Sequence, residues 1–186
     1  MAGMAQPPRR WVWLDRAEAF TRLVNRLFAA IACILVLVIT ALIVMAVFYR
    51  YILHDPIAWV LDITIFLLVF VFFLAIAPAL ESGSHIEVDL FDPLIPPRYR
   101  KTQRLIGKVL TLIFAVVFFW FVLAYYREIV EVDELSFTMI IVQLKLIYWI
   151  GPIGALQFLL TAAVLLLRFW HEPLAPEGDK PVVAAH

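Results

Sequence analysis

Long apolar stretches alternate with short polar segments along the chain, and this pattern predicts four membrane-spanning helices. A span needs about 20 mostly apolar residues, because each residue advances a helix by about 1.5 Å. Four stretches meet this requirement, and each is closed by charged or proline-rich sequence. The predicted spans are residues 27–49, 57–80, 109–126 and 146–167. The first of them carries no charged residue, and the second carries only Asp62.

Positive charge is concentrated on one side of the predicted membrane. Lysine and arginine in short flanking segments are retained on the cytoplasmic side, so their distribution sets the orientation. Twelve of the 15 lie in the N-terminal segment, the second loop and the C-terminal tail, whereas only Arg50, Arg127 and Lys145 lie opposite. Both termini are therefore predicted to be cytoplasmic. The expected fold class is an all-α integral membrane protein with four transmembrane helices, N-in and C-in.

The segments outside the spans complete the predicted organisation. Residues 11–26 mix aromatic and aliphatic side chains with arginines, which is typical of an amphipathic helix lying in the membrane interface. The cytoplasmic N-terminal segment is thus residues 1–26, with this interfacial helix, and the four-helix membrane domain is residues 27–167. The tail, residues 168–186, is rich in proline, alanine and charge and is predicted to be disordered.

The second and third loops have different compositions. The second begins with a turn-rich stretch, residues 81–97, and continues as a basic helical stretch in which Pro97 is a suitable helix starter. The third opens with acidic residues and continues as an apolar stretch, residues 135–144, that is too short to span and is predicted to be re-entrant or interfacial. Its acidic residues are Glu128, Glu131, Asp133 and Glu134.

Composition and charge exclude several classes of function. The chain is 65% hydrophobic and 16% charged, whereas soluble domains have roughly 25% charged residues. Its formal net charge is zero, so the basic excess expected of a nucleic-acid-binding protein is missing. Cys33 is the single cysteine, which excludes an internal disulfide and a thiolate metal cage. All four histidines lie outside the predicted spans, where they cannot ligate an intramembrane haem.

No enzyme chemistry emerges from the loops. Ser82, Ser84 and His85 lack a convincing acid and an oxyanion hole, so a hydrolase site is disfavoured. His85, Glu87 and Asp89 alternate with apolar residues and would share one face of an extended segment, as metal ligands could. The simpler interpretation is that their apolar neighbours seat the loop while the polar groups cap helix ends. We predict no catalytic, cofactor-binding or metal-binding residue in this chain.

Asp62 is the one ionisable residue inside a predicted span, and three interpretations remain open for it. It lies about 9 Å beyond Pro56 along the helix, close to the outer headgroups. It could be a first-turn carboxylate that suits the helix N-terminus or pairs with Arg50. It could instead dock a cationic group of a partner helix, or it could couple protons in a small exporter.

Helix-breaking residues do not form the repeated pairs that transporters place near the membrane midplane. Pro78 lies near the end of the second span, and Gly151-Pro152 lies near the start of the fourth. Ordinary kinks at helix ends explain both positions. Gly151 and Gly154, with Ala155, also offer a small-residue face for close helix packing.

A set of loop and helix-end residues carries a resemblance to a known family. The set is Arg50-Tyr51, Pro56, Trp59 and Asp62, then Gly83, His85-Ile86, Val88-Asp89-Leu90 and Pro96-Pro97-Arg98, and finally Tyr148, Pro152 and Gly154. In this order, and across four spans of this orientation, it resembles the small membrane subunit of tripartite ATP-independent periplasmic (TRAP) transporters, the DctQ type. The resemblance extends from about residue 25 to residue 168.

The resemblance implies a sodium-driven importer of organic acids in the bacterial inner membrane. In that family a periplasmic binding protein (DctP type) delivers the substrate, and a large membrane subunit (DctM type) carries the sodium and substrate sites. The small subunit braces the large one within the lipid bilayer. Arg50, Trp59, Asp62, Gly83, His85, Asp89, Tyr148, Pro152 and Gly154 would then be structural or subunit-interface residues. The acidic third loop would face the binding protein, unless it is simply a solvated loop.

Two other functions remain open from the sequence. One is a self-sufficient, homodimeric, proton-coupled exporter in which Asp62 would be essential. The other is a membrane anchor for a different complex, whose basic second loop would contact anionic lipids.

Overall fold

The computed structural model describes residues 12–55, 57–83, 97–136 and 140–171. Four of its helical stretches are long and apolar enough to cross a membrane, which confirms the predicted all-α, multi-pass class. A short helix and a long one together form the fourth stretch. The elements are α1 (Val12–Phe48) with a π-helical extension (Tyr49–Leu53), α2 (Trp59–Gly83), α3 (Pro97–Val132), α4 (Lys145–Tyr148) and α5 (Ile150–His171).

The first helix is much longer than a membrane span requires. α1 has 37 residues and is therefore about 55 Å long, whereas the hydrocarbon core of a bilayer is about 30 Å thick. No break separates residues 12–26 from the predicted first span, so the amphipathic stretch continues the span instead of forming a separate helix. Its position in the membrane interface stays a prediction.

Two helices extend further than the hydropathy pattern indicates. α2 continues to Gly83, so Glu81 lies in its last turn and not in the second loop. α3 begins at Pro97, as predicted, because proline suits the first position of a helix, where its missing N–H is not needed. It ends at Val132, before Asp133 adopts the left-handed conformation (φ 54°). Hydropathy marks only the apolar part of a helix, whereas the helix itself continues into charged sequence.

The fourth stretch is interrupted at Trp149, between α4 and α5. Pro152 lies in the first turn of α5 and cannot donate a hydrogen bond to the carbonyl of Tyr148, four residues earlier. The sequence analysis placed Gly151-Pro152 at a helix-end kink, and the interruption at Trp149 confirms that interpretation.

α2 and α5 form the centre of the helical domain. α1 packs mainly on α2, and α3 packs mainly on α5. One apolar core joins α2, α3 and α5 around Ala77, Ala115 and Phe158. A second joins α1, α2 and α5 around Ala32, Leu74 and Ile150. α1 and α3 consequently flank the central pair, and much of their apolar surface faces outward.

The central pair packs closely because α5 presents glycine to α2. A β-carbon at Gly154 would overlap the backbone carbonyl of Phe73 and lie 2.8 Å from the Cβ atom of Phe73. At Gly151 a β-carbon would lie 3.2 Å from Cγ1 of Val122. The predicted small-residue face is thus confirmed, and Ala155 beside it is fully buried. Small residues allow helix backbones to approach where apolar area alone gives no preference between helix and lipid.

Candidate functional site

Buried polar side chains join three helices at the proximal end of the domain, where α1 begins and α2 and α5 end. Asn25 of α1 is only 1% exposed. Its Nδ2 atom donates to Oε2 of Glu81 (2.6 Å) and to Oγ1 of Thr161 (3.2 Å). Its Oδ1 atom accepts a hydrogen bond from Nε2 of Gln157 (2.8 Å). We call Thr21, Asn25, Glu81, Gln157 and Thr161 the proximal polar cluster.

The remaining bonds of the cluster involve the backbone. Nε2 of Gln157 also donates to the carbonyl oxygen of Thr21, at 3.4 Å, and the hydroxyl of Thr161 donates to the carbonyl of Gln157 at 2.9 Å. The side chains of Asn25, Gln157 and Thr161 are therefore bonded to one another and to backbone carbonyls, as buried polar groups must be. The cluster fixes α1 against the central helix pair.

An ion-pair group lies next to the cluster. Glu18 of α1 pairs with Arg22 on the same helix and with Arg168 of α5, and it also accepts hydrogen bonds from both guanidinium groups. The Nε atom of Arg22 lies 3.8 Å from Oε1 of Glu81. All of these side chains are partly exposed, so each pair contributes little stability by itself. Their joint effect is to continue the α1–α5 contact beyond the end of α2.

Asp62 forms the corresponding polar contact at the distal end, where α2 begins and α3 ends. Its side chain lies in the first turn of α2 and is 7% exposed. Its Oδ2 atom accepts a hydrogen bond from the backbone N–H of Ile140, at 2.9 Å. Arg50 instead lies over the ring of Tyr51, 5.9 Å from its centroid, so the predicted alternative of an Asp62–Arg50 pair is wrong. The carboxylate holds the loop that connects α3 to α4.

That loop has a hairpin-like base over the part that the structure describes, and its re-entrant or interfacial position stays a prediction. The backbone N–H of Ser136 donates to the carbonyl of Val142 (2.9 Å), and that of Leu144 donates to the carbonyl of Glu134 (3.0 Å). Nζ of Lys145 pairs with Oδ1 of Asp133 at 2.6 Å. Asp133 follows the last residue of α3 and turns the chain with a positive φ. Aspartate tolerates a positive φ better than most residues do.

The two polar ends are separated by the thickness of a bilayer. Asp62 and Glu81 both belong to α2 and lie about 28 Å apart along its axis. The hydrocarbon core of a membrane is about 30 Å thick. The spacing of the proximal polar cluster and the Asp62 contact thus matches the thickness of the hydrocarbon core.

The predicted site residues are spread over the helical domain. Arg50 and Trp59 are exposed near the distal end, and the ring of Tyr148 packs edge-on against Tyr125, with centroids 5.8 Å apart. Pro152 is half-buried at the start of α5, and Gly83 is the last residue of α2. His85 and Asp89 lie outside the described residues.

The acidic residues of the distal end lie on two elements. Glu128 and Glu131 are exposed on the last turns of α3, whereas Asp133 and Glu134 follow that helix. Asp133 is engaged by Lys145, and Glu134 is half-buried. The sequence analysis placed all four in a loop, which is wrong for Glu128 and Glu131, because α3 includes them, and right for Asp133 and Glu134.

A comparison with protein families identifies the family of this chain. Residues 39–172 match the family described as "Tripartite ATP-independent periplasmic transporters, DctQ component". The chain belongs to the DctQ family. No curated protein matches it in sequence. The resemblance seen in the sequence is therefore confirmed, and the DctQ chain is a multi-pass membrane component of a TRAP transporter.

Sequence reasoning missed the residues that make the proximal polar cluster of this DctQ chain. It searched the spans for ionisable groups, and Asn25, Gln157 and Thr161 are neutral. A signal was nevertheless present, because Gln157 and Thr161 are polar, lie within the apolar fourth span and are four residues apart on one helix face. Polar side chains in spans commonly bond to neighbouring helices.

The polar contacts of these residues lie within the chain. Within the described part of the DctQ chain, no three His, Cys, Asp or Glu side chains are grouped so that they could hold a metal ion. The side-chain amide of Asn25 bonds to Gln157 and Thr161, and Asp62 bonds to a backbone amide. These contacts connect helices and a loop within the chain.

Proposed function

We propose that this chain is the scaffold subunit of a sodium-coupled TRAP transporter that imports an organic acid. It braces a large DctM-type membrane subunit, which carries the sodium and substrate sites. The family match over residues 39–172 supports this proposal most strongly. The buried polar groups add to it, because the contacts of Asn25, Gln157 and Asp62 hold the chain's own helices and loop.

The outer surface of the helical domain suits a subunit that is enclosed by lipid and a partner. Large apolar side chains are exposed along both flanking helices, among them Ile34 and Leu37 of α1 and Trp120 and Phe121 of α3. Such surface has to be covered by lipid or by another apolar subunit. Such a domain gives the large subunit a fixed body against which its substrate-bearing element moves.

The distribution of charge supports an orientation. The proximal end carries most of the arginines, and this excess of positive charge supports a cytoplasmic location for that end and for both termini in a bacterial cell. The distal end then faces the periplasm. There Glu128 and Glu131 are exposed, and they are available to orient a DctP-type binding protein.

The test of the scaffold function is recovery of the partner. The tagged chain is extracted from its native membranes in a mild detergent, and the proteins that purify with it are identified by mass spectrometry. We expect a large polytopic membrane protein at one-to-one stoichiometry. A chain that purifies alone, as a stable homodimer, would contradict the proposal and favour the small exporter. A cytoplasmic complex in its place would favour the membrane-anchor function.

Variants of Asp62 distinguish a scaffold from a proton-coupled exporter. Asp62→Asn keeps an oxygen that can accept from the N–H of Ile140, so transport is expected to stay near the wild-type rate. Asp62→Ala removes the carboxylate that accepts from the N–H of Ile140, and the loss of a hydrogen bond to a charged group costs about 1.5–3 kcal/mol. Faster proteolysis of the connection between α3 and α4 should follow in the alanine variant only.

Substrate uptake and limited proteolysis of the assembled transporter provide the measurements. The amount of chain in the membrane is the control for expression. Loss of nearly all transport in Asp62→Asn, with normal amounts of protein, would rule out a purely structural role for this carboxylate.

A further inference from the structure

A cleft opens beside the proximal polar cluster, where α2 ends and α1 and α5 continue. Its volume is about 250 Å³, several times the roughly 30 Å³ that one water molecule occupies in the liquid. Val164 and Leu165 of α5 supply apolar lining, and Thr21 and Thr161 supply hydroxyl-bearing side chains. We call this space, which three arginines also line, the arginine cleft.

The charges of the arginine cleft are unequal. Among the described residues that line it, Arg22, Arg26 and Arg168 accompany Glu18 and Glu81, which leaves one positive charge in excess. Glu18 already forms ion pairs with two of the arginines, Arg22 and Arg168. Arg26 forms no ion pair or hydrogen bond in the described part of the chain, and it lines a second open space on the adjoining surface of α1 as well. A cation without a partner, beside engaged carboxylates, favours an anionic ligand.

The level of the cleft in the membrane indicates what that anion is. Glu81 forms part of its lining and lies about 28 Å from Asp62 along α2, so the cleft is at the boundary between hydrocarbon and headgroups. At this boundary a phospholipid has its phosphodiester, with apolar chains directed toward the bilayer centre. The arginines of the lining match the phosphodiester of such a molecule, and Val164 and Leu165 match its apolar chains.

We propose that the arginine cleft binds the headgroup phosphate of an anionic phospholipid, with Arg26 as its principal partner. Arg22 and Arg168 add positive potential, although Glu18 shares them. The bound lipid occupies the cleft between α1 and α5, beside the last turn of α2. This site is independent of the transport function proposed above, since it needs only the described helices and a bilayer.

Lipid titration of the purified full chain tests the proposal. The tagged chain is delipidated in mild detergent, and binding is measured by native mass spectrometry with phosphatidylglycerol or with phosphatidylcholine of the same acyl chains. We expect one phosphatidylglycerol to bind more tightly than phosphatidylcholine. Arg26→Gln should weaken that binding about fivefold, the effect of one basic residue near a membrane surface, whereas Arg26→Lys should keep most of it.

Arg16→Gln is the matched control, because Arg16 is exposed on the same helix and does not line the cleft. Equal binding of the two lipids, or equal weakening by Arg16→Gln and Arg26→Gln, would overturn the proposal. So would displacement of the lipid by inorganic phosphate at the same concentration, which would assign the site to the free ion. If Arg26→Gln proves misfolded by circular dichroism, the comparison of the two lipids on the wild-type chain still decides.

Discussion

Replacing Gly154 by alanine is expected to lower the midpoint of thermal unfolding of the detergent-solubilised chain by about 5 °C. The added β-carbon would meet the backbone carbonyl of Phe73, which cannot move aside as a flexible side chain can. Overpacking of this kind costs about 1–3 kcal/mol, and each kcal/mol corresponds to roughly 2–4 °C for a domain of this size. α2 and α5 must separate to admit the methyl group, so both apolar cores are disturbed.

Two other glycines of the same chain provide graded controls. Gly107 of α3 has no atom within 4 Å of the position of an added β-carbon, so Gly107→Ala should leave the midpoint unchanged or raise it, because alanine is the better helix former by about 1 kcal/mol. The midpoint of Gly151→Ala should fall between those of Gly154→Ala and Gly107→Ala, since the atom nearest to its added β-carbon is a side-chain atom of Val122 at 3.2 Å. Equal midpoints for Gly154→Ala and Gly107→Ala would disprove the close approach of α2 and α5.

Replacing Asn25 by leucine is expected to destabilise the chain by about 2 kcal/mol, or roughly 6 °C in the midpoint. Asn25 has side-chain hydrogen bonds to Glu81, Gln157 and Thr161, and polar contacts between membrane helices average about 0.6 kcal/mol each. The lost partners are buried or partly buried, which makes the loss larger than that of an exposed group. α1 should separate from α5 at its proximal end.

A double-mutant cycle identifies the cause. Gln157→Leu removes the donor to Asn25, and the double variant removes both partners, so its destabilisation should be smaller than the sum of the single effects by about 1 kcal/mol. Thr40→Val is the matched control. Its hydroxyl is exposed and bonds only to the carbonyl of Val36 on its own helix, so a change below about 0.5 kcal/mol is expected. Strict additivity of Asn25→Leu and Gln157→Leu would show that the two amides do not interact.

Local sequence was sufficient to predict the membrane class and the positions of several helix ends. An uninterrupted apolar run defines a span because each residue contributes to transfer into lipid independently of tertiary contacts. The start of α3 at Pro97 and the interruption before Pro152 also follow from local chemistry, since proline lacks an N–H. The end of α3 was not predicted, because half of residues 127–132 are charged and the segment is still helical.

The sequence by itself determined the number of spans, the distribution of positive charge and the family resemblance, all of which depend on residue types in order along the chain. The tertiary structure decided which helices lie at the centre and which groups pair. Asn25 meets Gln157, and Asp62 meets the backbone of Ile140, only because the helices have a particular rotation and offset. α2 is apolar nearly all round, so its sequence pattern marks no face, and the close contact at Gly154 fixes the packing instead.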